Sequence, residues 1–427
     1  MIISKTYYTR GYYYYGVEQT LRLGKRPLYA LIAVFIGAIA GWIIGPGVAV
    51  IKPLGDIFIA LLKFIVGPLI FISIATAVTT VQSFKRLGKI FGGFLVYWFI
   101  FGLIAAIIGY TMANIMKPGV GVQLGAKEIQ LAQVSAAQVL MSFIPNNPVR
   151  AFLELNTMQI IICALLTGFA IAFLNNVAPE EHNFLKKLFE SLQALIYKIV
   201  DFILWYAPIG IFALMANLVG TVGTMGLASL GKMVFTQWVA YFVMLLIIHP
   251  LFMMLVLGVN PLIFWKKVYP AMLTAFVTQS SSATLPITLR VTKTLGVPGD
   301  AADVIIPLAA TINMQAVAAE MPIYAVWVAQ MHGANLTVAH VVVALLMGVF
   351  GAAACAGVPG GGIMIAALTL QTLGLPLDPV GWIAGIYVVI DMFNTMLNVT
   401  GDPLGVLTVS KFVLKEFDKQ KFQAPSE

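Results

Sequence analysis

The sequence predicts an all-α integral membrane protein with eight transmembrane helices plus two opposed re-entrant helical hairpins. Three observations carry this. Of 427 residues, 60% are hydrophobic and only 10% charged, against roughly 25% charged in soluble domains, and the mean hydropathy is +0.95. Apolar runs of a length that crosses a ~30 Å hydrocarbon core recur along the chain. Between them, basic residues gather in short clusters, an orientation signal that explains the net charge of +8 without a nucleic-acid partner.

Residues 1–27 lack the apolar core of a cleavable signal peptide. Tyr7, Tyr8 and Tyr12 to Tyr15, beside Lys5, Arg10, Arg22, Lys25 and Arg26, read as an interfacial anchor. Spans are expected near 28–48, 56–80, 90–116, 135–175, 192–217, 232–258, 299–330 and 380–412, the fourth long enough to be broken. In the first, Gly37, Gly41 and Gly45 make a small-residue face for close helix packing. Two further apolar stretches, 267–290 and 340–374, are interrupted by Ser280-Ser281-Ser282-Ala-Thr-Leu-Pro286 and by Gly357-Val-Pro359-Gly-Gly-Gly362, where the chain should turn back.

Basic clusters at Lys85/Arg86/Lys89, Lys186/Lys187, Lys266/Lys267, Arg290/Lys293 and Lys411/Lys415/Lys419/Lys421 alternate with positive-poor loops at 218–231 and 331–339. Both termini are then cytoplasmic, and 267–290 enters from inside while 340–374 enters from outside. Irregular backbone at membrane depth must line a protected cavity, so the two tips should meet at a binding site.

Enzyme chemistry finds no support. Cys163 and Cys355 sit in apolar stretches and do not form a disulfide framework, and His182, His249, His332 and His340 are scattered. Gly226 to Lys232 resembles a phosphate loop, but Met233 stands where magnesium needs Ser or Thr.

Polar residues inside the spans carry the function. Asp391, Thr395, Asn398 and Asp402 follow helical steps on one face, flanked by Tyr387 and Asn394. An Asp at mid-membrane costs ~2.5–3.5 kcal/mol, so this face calls for a cation, an ammonium group or a hydrated cavity. The seventh span holds Thr311-Ile-Asn313-Met-Gln315 and then Glu320-Met-Pro322. Glu320 is open to three roles: accepting a proton, pairing with a cationic group, or stabilising carbonyls freed by Pro322.

These residues, in this order over roughly 28–412, resemble the dicarboxylate/amino-acid:cation symporters, the glutamate transporter family. The resemblance implies an elevator-type homotrimer. It assigns 28–80 and 131–225 to a scaffold, 81–130 and 226–412 to a moving transport domain, and 413–427 to a cytoplasmic tail. It also implies that Asp391 with Thr395 receives a substrate ammonium, and that Asn398 with Ser280, Ser281 and Ser282 holds the α-carboxylate. Val358 and Gly360 would close the second hairpin, while Gln279, Met314, Val317 and Asn394 complete the pocket. One sodium site would use Asn313, Asn398, Asp402 and the Ala309 carbonyl. A second would use backbone around Thr311, Met314, Ala352, Ala353 and Cys355.

Departures from the family pattern narrow the substrate. Members carrying acidic substrates place an arginine where Asn394 stands, or in some archaeal members where Gln279 stands, and this chain has neither. The third sodium site of the family uses an Asn-Met-Asp-Gly-Thr motif, replaced here by Asn313-Met-Gln315-Ala-Val317, with Trp98, Phe101 and Gly102 at the matching third-span places. The expected activity is cation-coupled symport of a small neutral or polar amino acid across the cell inner membrane. One or two sodium ions, or a proton on Glu320, would drive it, with no other cofactor. The alternatives are a proton-coupled organic-acid, dicarboxylate or cationic amino-acid transporter, and a ligand-gated channel or receptor without coupled transport. Asn394→Arg is the change expected to turn the pocket toward acidic substrates.

Overall fold

The computed structural model describes residues 26–79, 84–121, 144–154, 157–355 and 360–424. The tyrosine-rich N-terminal segment, the first part of the fourth expected span and Val358 fall outside these. Among the described residues every regular element is a helix.

α1 (Arg26–Ile44), α2 (Lys52–Thr79) and α5 (Thr157–Val177) pack with α6 (Pro179–Val243), while α4 (Pro148–Leu153) is a short turn before α5. α6 is two helices joined through Gly223, whose φ of 69° and ψ of −159° are not helical. Its first half therefore starts at Pro179, well before the span expected from 192, because the amphipathic stretch ahead of that span is also helical. A Cβ at Gly37 would stand 2.6 Å from the Phe212 carbonyl, and one at Gly41 would overlap the Ala216 carbonyl. Those two glycines form the expected packing face. Gly45, which at φ 65° follows the end of α1, has no neighbour near its own Cβ position and meets α6 by its carbonyl, 2.5 Å from where a Cβ at Gly220 would stand.

The second group is α3 (Phe84–Met116), α7 (His249–Leu255), α8 (Pro261–Thr278), α9 (Ser281–Lys293), α10 (Gly299–Ile312), α11 (Gln315–Met331), α12 (Val338–Leu346), α13 (Gly361–Thr372) and α14 (Asp378–Val409). α14 packs on α8, α10 and α6, and α3 runs along α11. Among the described residues five helical stretches are long and apolar enough to cross a membrane: Ile32–Phe58, Gly88–Met116, Gly226–Leu255, Gly299–Met331 and Asp378–Leu414. Shorter apolar helices at Gly67–Thr76, Ile162–Val177 and Trp205–Thr221 coincide with the remaining expected runs, and Val338–Gly351 and Gly361–Thr372 with the second interrupted stretch. The exterior suits lipid: Phe35 is 67% exposed, Trp42 74% and Ile43 70%. The described residues are all-helical, with several apolar helices as in a multi-pass integral membrane protein.

The first interrupted stretch is a helix–turn–helix. α8 ends at Gln279 in the left-handed conformation (φ 54°) and Ser280 is extended, capping α9 by accepting from the Ala283 N–H at 3.2 Å. Pro286 does not end a helix as expected from sequence; it lies inside α9. The seventh run splits into α10 and α11 at Asn313 and Met314, whose ψ values of 70° and 66° leave the helix.

The segment expected to be a cytoplasmic tail is docked. Asp418 N–H donates to the Gly296 carbonyl (2.8 Å), and Gly296 at φ 72° has no room for a Cβ beneath Asp418. Phe422, in α15 (Lys419–Gln423), is buried under the Lys267 ammonium, which also donates to the carbonyls of Thr294 (2.9 Å) and Lys421 (3.2 Å). Arg86, at the start of α3, clamps this end with pairs to Glu416 (2.7 Å) and Asp300 (2.6 Å).

The hydrogen bonds from Arg86 hold the Glu416 carboxyl below the usual glutamate range, and Glu416 and Asp300 raise the Arg86 guanidinium. Stability from a lowered carboxyl is complete above its unfolded pKa of about 4.3 and is lost as pH falls through the lower folded value. Arg86→Met should therefore lower the melting temperature at neutral pH, with the deficit shrinking as pH falls below about 4. A deficit that is constant from neutral to acid pH contradicts this clamp.

Candidate functional site

α14 supplies the polar stripe. Steps of three and four along a helix place Asp391, Asn394, Thr395, Asn398 and Asp402 toward α8, α10 and α11, and all five are buried. Buried polar atoms need partners, and each of these has them. Thr395 donates to Asp391 Oδ1 (3.0 Å), and the Gly360 N–H donates to Oδ2 (3.3 Å). Asn398 Oδ1 accepts from the Ala316 N–H (2.8 Å), one of the orphan donors in the first turn of α11, and its Nδ2 donates to Asn394 Oδ1 (2.7 Å).

Asn394 Nδ2 in turn donates to Glu320 Oε1 and to the Tyr387 hydroxyl, at 3.3 Å from the latter. Glu320, fully buried on α11, also accepts from Tyr241 (2.5 Å), Tyr324 (3.4 Å) and Tyr387 (3.4 Å). One carboxylate is thus wrapped by three phenols and one amide.

Between the stripe and the two interrupted stretches lies a small, partly open cavity. Gln279 and Ser281 line it from the first stretch, Met314 and Val317 from α11 and its unwound lead-in, Cys355, Gly361 and Gly362 from the second stretch, and Tyr387, Asp391, Asn394, Thr395 and Asn398 from α14. No Lys, Arg or His is among these lining residues. A Cβ at Gly362 would overlap the Tyr387 hydroxyl and one at Gly361 would stand 2.6 Å from the Cys355 carbonyl, so these glycines let the start of α13 lie against α14 and the Ala353–Cys355 turn.

Most residues singled out from sequence therefore meet. Ser280 and Ser282 do not line the cavity; Ser280 is the cap of α9. Gly360, at φ 79°, reaches the site through its N–H on Asp391. Cys355, expected beside a cation, lines the central cavity. Sequence reasoning missed Tyr241 and Tyr324 altogether. Tyr387 was visible only as a flank of the stripe, two turns before Asn394.

Deeper along α14, Asp402 Oδ1 accepts from Asn313 Nδ2 (2.8 Å) beside the α10/α11 break, where the Ala309 carbonyl accepts from the Asn313 N–H (2.8 Å). The Ala353–Cys355 turn packs against α10. Gln315 is held on both sides: its carbonyl lies 2.9 Å from His249 Nε2, and its Nε2 donates to the Tyr97 hydroxyl (3.2 Å) and to Asn313 Oδ1 (3.3 Å). Tyr97 donates to the Gly401 carbonyl (2.8 Å), Trp98 to that of Ile312 (2.9 Å), and Phe101 packs on His249 with ring centroids 5.7 Å apart. Protein groups fill this corner.

The chain matches the sodium:dicarboxylate symporter family over residues 28–412. It is similar to the proton/glutamate-aspartate symporter of Escherichia coli (strain K12), 29% identical over 387 residues that span 88% of this chain and 87% of that one. The proton/sodium-glutamate symport protein of Bacillus subtilis (strain 168) is 28% identical over 397 residues, 89% and 91% of the two chains. The C4-dicarboxylate transport protein of Acinetobacter baylyi is 27% identical over 430 residues, 93% and 95%. With a match running from the first apolar helix to the last, the chain belongs to the sodium:dicarboxylate symporter family.

Proposed function

We propose that the chain is a cation-coupled symporter for a small neutral or polar amino acid, working as a homotrimeric elevator of eight crossings and two re-entrant hairpins. In this reading both termini are cytoplasmic, 28–80 and 131–225 form the scaffold, and 81–130 and 226–412 carry the substrate. The observation that carries the substrate class is the lining of the cavity: Asp391 at one side and no basic residue among the described residues that line it. A substrate ammonium pairs with Asp391, whose geometry Thr395 fixes. The α-carboxylate faces Ser281 and Asn398. A second carboxylate would be desolvated without a cationic partner, and removing one member of a buried pair costs about 3–5 kcal/mol. Glutamate, aspartate and C4-dicarboxylates, named for the relatives, are thereby disfavoured here.

Sodium suits the hard oxygens of Asp402, Asn313, Asn398 and the Ala309 carbonyl, and backbone carbonyls around Thr311, Met314, Ala352, Ala353 and Cys355 offer a second place. The Gln315 corner supplies an amide already bonded to His249, Tyr97 and Asn313. It has no free carboxylate for a third ion, so the expected stoichiometry is one or two sodium ions. The buried carboxylate of Glu320, close to the cavity through Asn394, favours a second reading in which a proton replaces sodium.

Proteoliposomes loaded with the purified protein should take up serine, threonine or alanine on a sodium gradient, with aspartate and succinate at background. Uptake driven by a pH gradient, indifferent to sodium and lost in Glu320→Gln, would install the proton reading. Ligand-gated current without accumulation would overturn symport altogether. Asp391→Asn should weaken amino-acid binding by on the order of a hundredfold, the worth of one buried ion pair. Unchanged affinity would show that the ammonium lies elsewhere.

A further inference from the structure

Position 394 borders the cavity, but its side chain has no donor left to offer a substrate carboxylate. Asn394 Oδ1 accepts from Asn398, and Nδ2 is committed to Glu320 and Tyr387. The amide behaves as a strut between two layers. Behind it, Glu320 collects donors from Tyr241, Tyr324, Tyr387 and Asn394, and every one of these is neutral. The wall facing away from Asp391 therefore ends in a carboxylate covered by one layer of amide and phenol.

We infer that Glu320 is a specificity-determining residue: acting through Asn394 and Tyr387, it keeps the pocket closed to any substrate with a second carboxylate, even when a cation is supplied at position 394. The inference deepens the neutral-amino-acid reading and rests on it. An arginine at 394 grows from a backbone position whose present side chain already touches Glu320. Guanidinium and carboxylate form short, bidentate, charge-assisted pairs. The introduced charge is thus captured from behind before a substrate carboxylate can use it, and the site remains without a net positive group. Selectivity belongs to the pair 320/394. Glu320 is a positioning residue here, since Asn394 and Tyr387 stand between it and the cavity.

The geometry also assigns Gly362 a part. A Cβ there would crowd the Tyr387 hydroxyl and approach Glu320 Oε2 at 3.0 Å, so the hairpin backbone seals the Glu320 layer from the side of the second gate. No alternative partner for an arginine at 394 stands among the lining residues except Asp391, and pairing there would remove the ammonium site instead.

The test is thermal stabilisation of the purified full chain by serine and by aspartate in sodium, for wild type, Asn394→Arg, Glu320→Gln and the double variant. Wild type, Asn394→Arg and Glu320→Gln should ignore aspartate. The double variant should bind it, with half-saturation on the order of a hundredfold below any single variant, reversing the serine-to-aspartate preference. A purely structural role for Glu320 would lower the melting temperature without reversing that preference. Aspartate binding by Asn394→Arg alone, equal to the double variant, overturns the inference while leaving the neutral-substrate reading intact. Aspartate binding by wild type overturns both. If the double variant does not fold, Asn394→Lys with and without Glu320→Gln makes the same comparison. A folded double variant that ignores aspartate overturns the inference.

Discussion

A single run of side-chain hydrogen bonds holds the centre of this protein: Ala316 N–H to Asn398, Asn398 to Asn394, Asn394 to Glu320, and Tyr241 to Glu320 from the far side. It ties α14 to α11 and α6. In hydrocarbon an unpaired polar group costs several kcal/mol, so a run of this kind is either complete or ruinous. Completeness forces the rest. α11 must begin at Gln315 for Ala316 to present its N–H, which in turn requires the unwound Asn313 and Met314. Those two open the backbone beside Asp402, and Gly362 must lack a side chain for the start of α13 to reach Tyr387.

The same run separates two chemistries that adjoin it. On the cavity side, Asp391 keeps its carboxylate at the lining, supported by Thr395 and the Gly360 N–H. On the other side, Glu320 has its acceptor capacity filled by phenols and an amide. One acid lines the cavity and the other does not, and Asn394 and Tyr387, which line it, both hydrogen-bond to the second. Toward the other end of α14, Gln315 is an amide pinned on three partners, His249, Tyr97 and Asn313.

Much of this was legible in the sequence because it is local. Helical steps along α14 announce its polar face, Gly37 and Gly41 announce the contact with α6, and a serine run after an apolar stretch announces the first hairpin. The absent arginine at 394 was legible too. Tyr241 and Tyr324 were not: a tyrosine in an apolar span reads as core or interface, and only the fold brings residue 241 to residue 320. Pro286 misled for a related reason. Its local chemistry fits either a break or a tolerated kink, and tertiary contacts choose. The docked tail around Phe422 carries charges that from sequence alone read as solvated.

Under the proposed function, a cavity with one acid and no base among its described lining residues selects a zwitterion with an uncharged side chain. Isothermal titration of the purified wild-type protein in sodium with serine and with aspartate measures it directly. Saturable serine binding, with aspartate weaker by on the order of a hundredfold or more, is the predicted result. Aspartate binding as tight as serine or tighter would contradict the account, because the cavity would then hold a second carboxylate without a cationic partner.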